Sequence, residues 1–198
     1  MTKDLDFFFF IGSTYTYLTI NRIEALAAKE AVNIRWRPFN ARALMIEQNN
    51  RPFVGKPIKL QYMWRDLERR AHQYGISFLS KPPYPVDLND QAGRVAGIAA
   101  QQGWCAEFTK AIYQYWFLEA SDPGDSNLLS KVLNKLGKDS EEILKMANSD
   151  KGEALYQSET DTARELGLFG SPSFVVSGEV FWGDDRLEDA ISWLKNNT

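Results

Sequence analysis

The stretch Leu5-Asp6-Phe7-Phe8-Phe9-Phe10-Ile11-Gly12-Ser13-Thr14 decides the fold. Its run from Phe7 to Ile11 is apolar at every position, which is typical of a strand covered by helices on both faces. Gly12, Ser13 and Thr14 then carry a turn and helix-start signal. The stretch therefore predicts a central strand that leads directly into a helix.

The segments around this stretch complete a sheet. Apolar residues after the turn keep a helical spacing as far as Glu30, and residues 34–39 alternate before ending at a proline, so residues 4–39 predict one βαβ unit. Near the other end, residues 173–176 and 179–182 flank Ser177-Gly178 at the spacing of a hairpin. A final helix follows, with an inner face of Leu187, Ala190, Ile191 and Leu194.

A long helical block separates these two halves. From about residue 56 to 166 the hydrophobic spacing is close to 3.6, with helix starts at Asp125 and Asp139. Two apolar stripes stand out: Leu60, Trp64, Leu67 and Ala71, and then Trp104, Phe108, Ala111, Ile112 and Tyr115.

A βαβ half and a ββα half that share one sheet have the thioredoxin topology. We therefore predict an α/β protein with a thioredoxin-like fold and a large inserted all-helical domain. Residues 1–40 together with 167–198 form the predicted thioredoxin-like domain, and residues 41–166 form the insertion. Two independent domains are the alternative, but the C-terminal segment alone is too short to build a core.

Composition excludes several classes of protein. The 198 residues are 44% hydrophobic and 25% charged, which suits a chain with a substantial core. The net charge of −3, without a dominant block of one sign, argues against a nucleic-acid or anionic-membrane surface. The longest apolar run falls far short of the roughly 20 residues of a membrane helix. With no secretory signal pattern, we expect a cytoplasmic protein.

Cysteine and histidine usage narrows the chemistry. Cys105 is the only cysteine, so an internal disulfide, a CxxC pair and a cysteine-built zinc site are all excluded. We expect it to be a buried structural residue. His72 is the only histidine, which disfavours histidine-rich metal sites and a Ser-His-Asp triad, and we expect it on the surface. No metal site is predicted.

The loop Gly12 to Tyr15 is the first candidate site. In this fold it presents backbone N–H groups to a bound sulfur or another anion. Because the loop contains no cysteine, disulfide exchange is excluded. Ser13 is the candidate hydroxyl donor to a thiolate that a ligand supplies. The alternative is that Ser13 or Thr14 is only the N-cap of the helix.

Three further segments are candidate ligand contacts. Pro172 is expected to be cis and to leave the backbone of Ser171 free to pair with an extended peptide, although it could be an ordinary proline at the start of a strand. Asp184 and Asp185 either cap the last helix or bind a cationic amine. The polar loop at residues 49–59 either binds a ligand or is a plain connection.

Five segments occur in the order and spacing of a known family: Phe10–Leu18, Asn50-Arg51-Pro52 with Lys59–Met63, Trp64–Ala71, Gly170-Ser171-Pro172, and Trp182–Leu187. Together they resemble the 2-hydroxychromene-2-carboxylate isomerase family and its relatives, the kappa-class glutathione transferases, within the DsbA-like thioredoxin superfamily. The resemblance covers essentially the whole chain.

The resemblance implies glutathione as cofactor, a small aromatic substrate and a homodimer. By similarity Ser13 is the catalytic residue that holds the glutathione sulfur. The implied cofactor contacts are Asn50 and Lys59 for the tripeptide, Ser171 and Pro172 for its cysteinyl part, and Asp184 and Asp185 for its γ-glutamyl end.

The implied reaction is the glutathione-dependent cis–trans isomerisation of 2-hydroxychromene-2-carboxylate to trans-o-hydroxybenzylidenepyruvate. One alternative is a kappa-like glutathione transferase or peroxidase, and another is a non-enzymatic thioredoxin-fold protein that binds peptides. The combination of Ser13, Lys59 and Asp185 favours the first two over the third.

Three residues depart from the family's pattern. Thr14 follows the serine where proline is common, Ser171 precedes the cis-proline where Val or Thr is common, and Asp184 replaces a small neutral polar residue. We expect Thr14 to lose the pre-set helix start of proline and to add a second hydroxyl beside the sulfur. The charge of Asp184 would be unfavourable if it faced a ligand carboxylate.

Overall fold

The phenylalanine run lies inside a four-stranded sheet. The computed structural model describes residues 3–79 and 82–197. The strands are β1 (Lys3–Phe9), β2 (Val32–Pro38), β3 (Ser173–Val176) and β4 (Glu179–Trp182), in the order β2-β1-β3-β4. β1 is parallel to β2 and antiparallel to β3, and β3 is antiparallel to β4. The prediction of β1 as an interior strand and of the hairpin is confirmed.

Both faces of β1 are covered, which explains its apolar run. Phe7 and Phe9 point into the larger core cluster, where Phe7 stacks on Phe174 with ring centroids 5.6 Å apart. Phe8 and Phe10 point into a second cluster on the opposite face, with Phe39. The period of two divides the run between two cores, so each core receives two of the four rings.

The helices are α1 (Thr16–Ile20), α2 (Ile23–Glu30), α3 (Ala41–Glu47), α4 (Pro57–Tyr74), α5 (Gln91–Gln102), α6 (Cys105–Glu119), α7 (Ser126–Lys135), α8 (Ser140–Ala147), α9 (Asp150–Glu165) and α10 (Leu187–Asn197), and a 3-10 turn spans Asp184–Arg186. No helix in the described ranges combines the length and the apolar character that crossing a bilayer would require. The thioredoxin-like fold with a large helical block is confirmed. The domain boundaries remain predictions.

The helix after the first loop is broken in two, whereas the sequence pattern predicts one helix as far as Glu30. The Asn21 side-chain amide donates to the Tyr17 carbonyl at 2.7 Å and satisfies the end of α1. Arg22 then leaves the helical region with a φ of −125° before α2 begins. As a result, α1 has only five residues.

The helical block follows its predicted stripes in part. On α4, Leu67 and Ala71 are buried, Leu60 and Trp64 are half-buried, and Met63 takes the remaining buried position. On α6 the buried positions extend around most of the helix, because it packs against α1, α5 and α7. The starts of α7 and α8 are capped by the side chains of Asp125 and Asp139, as predicted.

Asp87 is a buried carboxyl group just before α5. Its two oxygens accept hydrogen bonds from the backbone N–H groups of Ala92 and Gly93, both at 3.0 Å. The side chain is 2% exposed. Burial raises its pKa to about 6, and the two backbone hydrogen bonds offset this only in part.

This pKa predicts how stability changes with pH. Between about pH 4 and pH 6 the folded protein holds the Asp87 proton while the unfolded chain has released it, so the free energy of unfolding falls as the pH rises. A two-unit difference corresponds to about 3 kcal/mol. The free energy of unfolding, measured by urea unfolding at several pH values in this range, should fall clearly less with rising pH in Asp87→Asn than in wild type. Asp139→Asn, at an exposed cap, should keep the wild-type slope, and an Asp87→Asn curve parallel to wild type would contradict the assignment.

Candidate functional site

Ser13 lies in a tight turn directly after β1. Its backbone N–H donates to the Phe10 carbonyl at 2.9 Å, and its hydroxyl donates to the Ser171 carbonyl at 2.8 Å. The residue that precedes α1 is Tyr15, and no side chain caps that helix. The interpretation of Ser13 or Thr14 as an N-cap is therefore wrong, because the Ser13 hydroxyl bonds across the fold instead of to its own helix.

The Thr14 side chain contacts α4. Its hydroxyl donates to the Met63 sulfur of α4 at 3.1 Å, and the residue is 3% exposed. The expectation that Thr14 adds a second hydroxyl beside a bound sulfur is therefore wrong, because its side chain is used in packing α4 against the loop.

The segment before β3 meets this loop. The Ser171–Pro172 peptide bond is cis, as expected. The Ser171 hydroxyl accepts the Phe10 N–H at 2.9 Å and lies 3.0 Å from the Thr16 hydroxyl. The Pro172 carbonyl accepts the Gly183 N–H at 2.9 Å. Ser171 and Pro172 thus connect the end of β1, the start of α1 and the turn before α10.

Tyr113 of α6 forms hydrogen bonds with the same loop. Its hydroxyl lies 2.9 Å from the carbonyl oxygens of both Phe10 and Ser13. The side chain is fully buried, and burial raises its pKa well above the ordinary value, so it stays protonated as a donor. Sequence analysis missed this residue. The available signal was a tyrosine inside an apolar helix, since a buried phenol needs a hydrogen-bond partner.

Asp184 is buried and already paired within the protein. Its Oδ1 accepts the Thr19 hydroxyl at 3.2 Å, and its Oδ2 lies 3.1 Å from Nη2 of Arg70. The same Arg70 nitrogen donates to the Tyr74 hydroxyl at 3.1 Å. Burial raises the pKa of Asp184, and the charges of Arg22 and Arg70 with the Thr19 hydrogen bond offset that rise only in part.

One face of α4 contacts the first loop and Asp184. Met63 meets Thr14, the Asp66 carboxylate accepts the Tyr15 hydroxyl at 2.9 Å, and Arg70 meets Asp184. Burial, then the Asp66 contact, raises the pKa of Tyr15, which keeps its hydroxyl protonated. Met63, Asp66 and Arg70 follow one another at three- and four-residue steps, so they share a face of the helix.

Lys59, Asn50 and Asp185 lie at the surface. Lys59 comes one turn before Met63 on the same helix, and its Nζ lies 5.9 Å from the centre of the Phe53 ring. The Asn50 backbone N–H donates to the Met45 carbonyl at 2.7 Å. The Asp185 carboxylate lies 3.0 Å from the guanidinium of Arg186. In the described ranges, none of these side chains contacts Ser13 or Ser171 through a hydrogen bond or an ion pair.

A cavity of about 680 Å³ lies elsewhere, at the outer edge of β2. Four of its charged groups form two pairs: Arg35 lies 2.6 Å from Asp6, and Arg37 lies 2.7 Å from Glu159. Cys105 lines this cavity, but it is 4% exposed, and burial raises the pKa of its thiol to about 12. The thiol is therefore protonated at neutral pH, and the expectation of a buried cysteine is confirmed. The hydroxyl site at Ser13 is the stronger candidate.

The comparisons with known proteins agree with the fold. A family profile of the DSBA-like thioredoxin domain matches residues 4–194. The chain belongs to that family. It is 28% identical over 197 residues to the 2-hydroxychromene-2-carboxylate isomerase of Sphingobium xenophagum, with 98% of this chain and 99% of the relative covered.

Two further proteins are similar to this chain over most of their length. Glutathione S-transferase kappa 1 of Caenorhabditis elegans is 25% identical over 206 residues, covering 92% of this chain and 87% of that protein. A solved structure of 2-hydroxychromene-2-carboxylate isomerase superposes with a TM-score of 0.86 at 25% identity, covering 97% of this chain and 94% of the other. The resemblance found from sequence motifs is confirmed.

The two adjacent acids before α10 should differ in their effect on stability. Asp184→Ala leaves Arg70 and Thr19 without their buried partner, so we expect the free energy of unfolding to fall by about 2 to 3 kcal/mol. Asp185→Ala changes a surface residue and should stay within about 0.5 kcal/mol of wild type. Urea unfolding at pH 7 measures both. Equal losses in the two variants would show that the Arg70–Asp184 contact contributes little.

Proposed function

We propose that this protein is a glutathione-dependent isomerase that converts 2-hydroxychromene-2-carboxylate to trans-o-hydroxybenzylidenepyruvate. The observation that carries the proposal is the contact between the Ser13 hydroxyl and the Ser171 carbonyl, beside cis-Pro172, in a loop without cysteine. Similarity to the isomerase of Sphingobium xenophagum over nearly the whole chain supports this choice of substrate.

The residues at this site fit a thiol on a peptide. Ser13 offers a hydroxyl to the sulfur, and the backbone of Ser171 offers peptide pairing next to the cis-proline. In this proposal Lys59 and Asn50, which lie at the exposed rim of the site, contact the tripeptide. Asp185, whose carboxylate is exposed, binds the γ-glutamyl amine. The Asp184 carboxylate is paired with Arg70 and Thr19. In this proposal it therefore holds the turn that carries Asp185 and does not contact the ligand itself.

The main task of the chain is to keep the sulfur ionised. A free thiol of this kind has a pKa of about 8.5, so only a few per cent is thiolate at neutral pH. Lowering that pKa by two units requires about 2.7 kcal/mol. A hydrogen bond to a charged group supplies about 1.5 to 3 kcal/mol. Since α1 has only five residues, its dipole adds little, and the Ser13 hydroxyl has to supply most of the effect.

When bound, glutathione supplies a thiolate that adds reversibly to the conjugated double bond of the ring-opened substrate and so permits rotation to the trans form. Ser13 holds the sulfur as an anion before and after that event, and Tyr113 keeps the Ser13 backbone fixed. The reaction consumes no cofactor and needs no net proton transfer from the protein. A cytoplasmic location and a homodimer complete the proposal.

A kappa-like glutathione transferase is the second candidate, and similarity to the Caenorhabditis elegans kappa transferase favours it. Both candidates use the same ionised sulfur. They differ in whether the sulfur leaves the substrate again or remains in a released conjugate.

Activity and binding assays test the proposal. The purified protein should isomerise 2-hydroxychromene-2-carboxylate only when glutathione is present, and millimolar glutathione should raise its melting temperature by mass action. Conjugation of chlorodinitrobenzene without isomerisation would favour the transferase instead. An unchanged melting temperature at several millimolar glutathione would contradict both.

Matched variants test the rim contacts. Lys59→Ala and Asp185→Ala should each weaken glutathione binding by about 1 to 3 kcal/mol, the range of hydrogen bonds to charged groups. Lys56→Ala is the control for the first, because the Lys56 amine bonds to the Arg51 carbonyl at 3.1 Å. Asp189→Ala, which removes another partner of Arg186, is the control for the second. Wild-type affinity in both test variants would contradict these contacts.

Ser13→Ala tests the role of the hydroxyl. If Ser13 stabilises the thiolate, the variant should raise the thiol pKa in the complex and move the pH–rate profile to higher pH, with the largest loss of activity near neutrality. Thiolate absorbance near 240 nm, about where thiolates absorb, reports the same pKa directly. Superimposable titrations of wild type and variant would rule out the role.

A further inference from the structure

Three aromatic side chains form a half-buried cluster between α4 and the segments before and after it. The Tyr84 ring meets the rings of Phe53 and Trp64 edge to face, with ring centroids 5.9 Å apart in both pairs. Each of the three residues keeps part of its surface exposed. The cluster therefore offers aromatic surface against which a planar ring can pack.

Two hydrogen-bond donors of this aromatic cluster have no partner in the described part of the chain. The Tyr84 hydroxyl and the Trp64 indole N–H form no hydrogen bond there, and neither atom is fully buried. By contrast, the indole N–H of Trp116 donates to the carbonyl of the neighbouring Pro83 at 2.7 Å. Burial raises the pKa of Tyr84, and the charge of Arg42 offsets this rise only in part. The Tyr84 hydroxyl is therefore protonated at neutral pH and free to donate to a ligand.

Arg42 of α3 holds the backbone that follows Tyr84. Its guanidinium donates to the carbonyls of Val86 at 2.9 Å and Asp87 at 3.1 Å. It also donates to the Asp90 carboxylate at 3.1 Å. These bonds use three of its five N–H groups. The position of Tyr84 therefore does not depend on a contact of its own hydroxyl, which leaves that group available.

The charges beside the aromatic cluster favour an anion. Lys59 lies on one side, with its Nζ 5.9 Å from the centre of the Phe53 ring. Arg42 lies on the other side, close enough to Tyr84 for its charge to act on that hydroxyl. Asp90 is paired with Arg42 and balances one of these two positive charges. A net positive charge remains next to the rings.

Arg42 also connects the backbone around Tyr84 to the first loop. Its guanidinium carbon lies 5.0 Å from the centre of the Phe10 ring. The same ring covers Gly12, because a Cβ atom on that glycine would lie 2.3 Å from the ring. Gly12 directly precedes Ser13 in the sequence.

The helix α4 makes a second connection to the first loop. Trp64 follows Met63, whose sulfur accepts the Thr14 hydroxyl at 3.1 Å. Thr14 directly follows Ser13 in the sequence. The aromatic cluster and Arg42 thus reach the residues on both sides of Ser13, which holds the glutathione sulfur in the proposed function.

We propose that Tyr84 recognises the carboxylate of the substrate: its hydroxyl donates a hydrogen bond to that group, while the rings of Phe53 and Trp64 pack against the aromatic body. This inference rests on the proposed function and names residues that bind its substrate, an aromatic carboxylate. A neutral aromatic compound gains the ring contacts but lacks the hydrogen bond to a charged group. Tyr84 therefore selects for the anion.

Two stable probes separate the contribution of Tyr84 from that of the rings. Chromone-2-carboxylate is a planar bicyclic carboxylate, and chromone is the same ring system without the carboxylate. Wild type should bind chromone-2-carboxylate more tightly than chromone. Tyr84→Phe should weaken binding of chromone-2-carboxylate about tenfold, near the low end for a hydrogen bond to a charged group, and leave chromone unchanged. Phe53→Ala should weaken both probes alike, by about fivefold.

Isothermal titration in the absence of glutathione measures these affinities. Tyr62→Phe is the control, because Tyr62 is 62% exposed on α4 with Arg69 over its ring, and this variant should bind both probes like wild type. The inference is overturned if wild type does not prefer the carboxylate, or if Tyr84→Phe binds it as wild type does. Equal weakening of both probes by Tyr84→Phe would overturn it as well, because the hydroxyl would then not select for the anion.

Steady-state kinetics of the isomerisation gives a second readout. Tyr84→Phe should raise the KM for 2-hydroxychromene-2-carboxylate about tenfold and leave the KM for glutathione unchanged, because the hydroxyl contacts only the substrate. A wild-type KM for the substrate in this variant would overturn the inference while the proposed function stands. If the wild-type protein does not isomerise the substrate with glutathione, the proposed function fails, and the two chromone probes decide on their own whether Tyr84 binds an aromatic carboxylate.

Discussion

The backbone of Phe10 is the constraint on which the site depends. Phe10 follows directly after β1 and is 6% exposed, so its N–H and carbonyl need partners where the strand ladder has stopped. The N–H donates to the Ser171 hydroxyl, and the carbonyl accepts from Tyr113 and from the Ser13 N–H. These bonds join the cis-proline loop, the helical block and the first loop at one residue. The position of Ser13 opposite Ser171 follows from them.

The short first helix changes how this site works. A fold of this type is expected to present a helix N-terminus to an anion, but α1 ends at Ile20 after five residues. The partial charge of so few peptide units is small. Under the proposed function, the Ser13 hydroxyl therefore has to supply most of the stabilisation of an anionic sulfur, and a hydroxyl can change its hydrogen-bond partner by rotation. A fixed helix dipole would offer no such choice.

Local patterns predicted the framework, and long-range contacts decided the site. The run around Phe8, the hairpin turn at Ser177 and the cap at Asp125 were predictable because each depends on neighbours a few residues away. The contact of Ser13 with Ser171 spans 158 positions, and that of Arg70 with Asp184 spans 114. The preference for serine before a helix predicts the N-cap role well. It contains no information about the Ser171 carbonyl, which is distant in sequence.

The three departures from the family's pattern share one physical feature. Thr14, Ser171 and Asp184 stand where the family commonly has proline, Val or Thr, and a small neutral polar residue, respectively. Each side chain is satisfied inside the protein: Thr14 by Met63, Ser171 by Phe10 and Thr16, Asp184 by Arg70 and Thr19.

Two of those partners, Met63 and Arg70, lie on α4, so that helix binds two of the three unusual polar side chains. Under the proposed function, these three side chains therefore act by holding the loop and the turn that carry the proposed ligand contacts, and not by facing the ligand themselves.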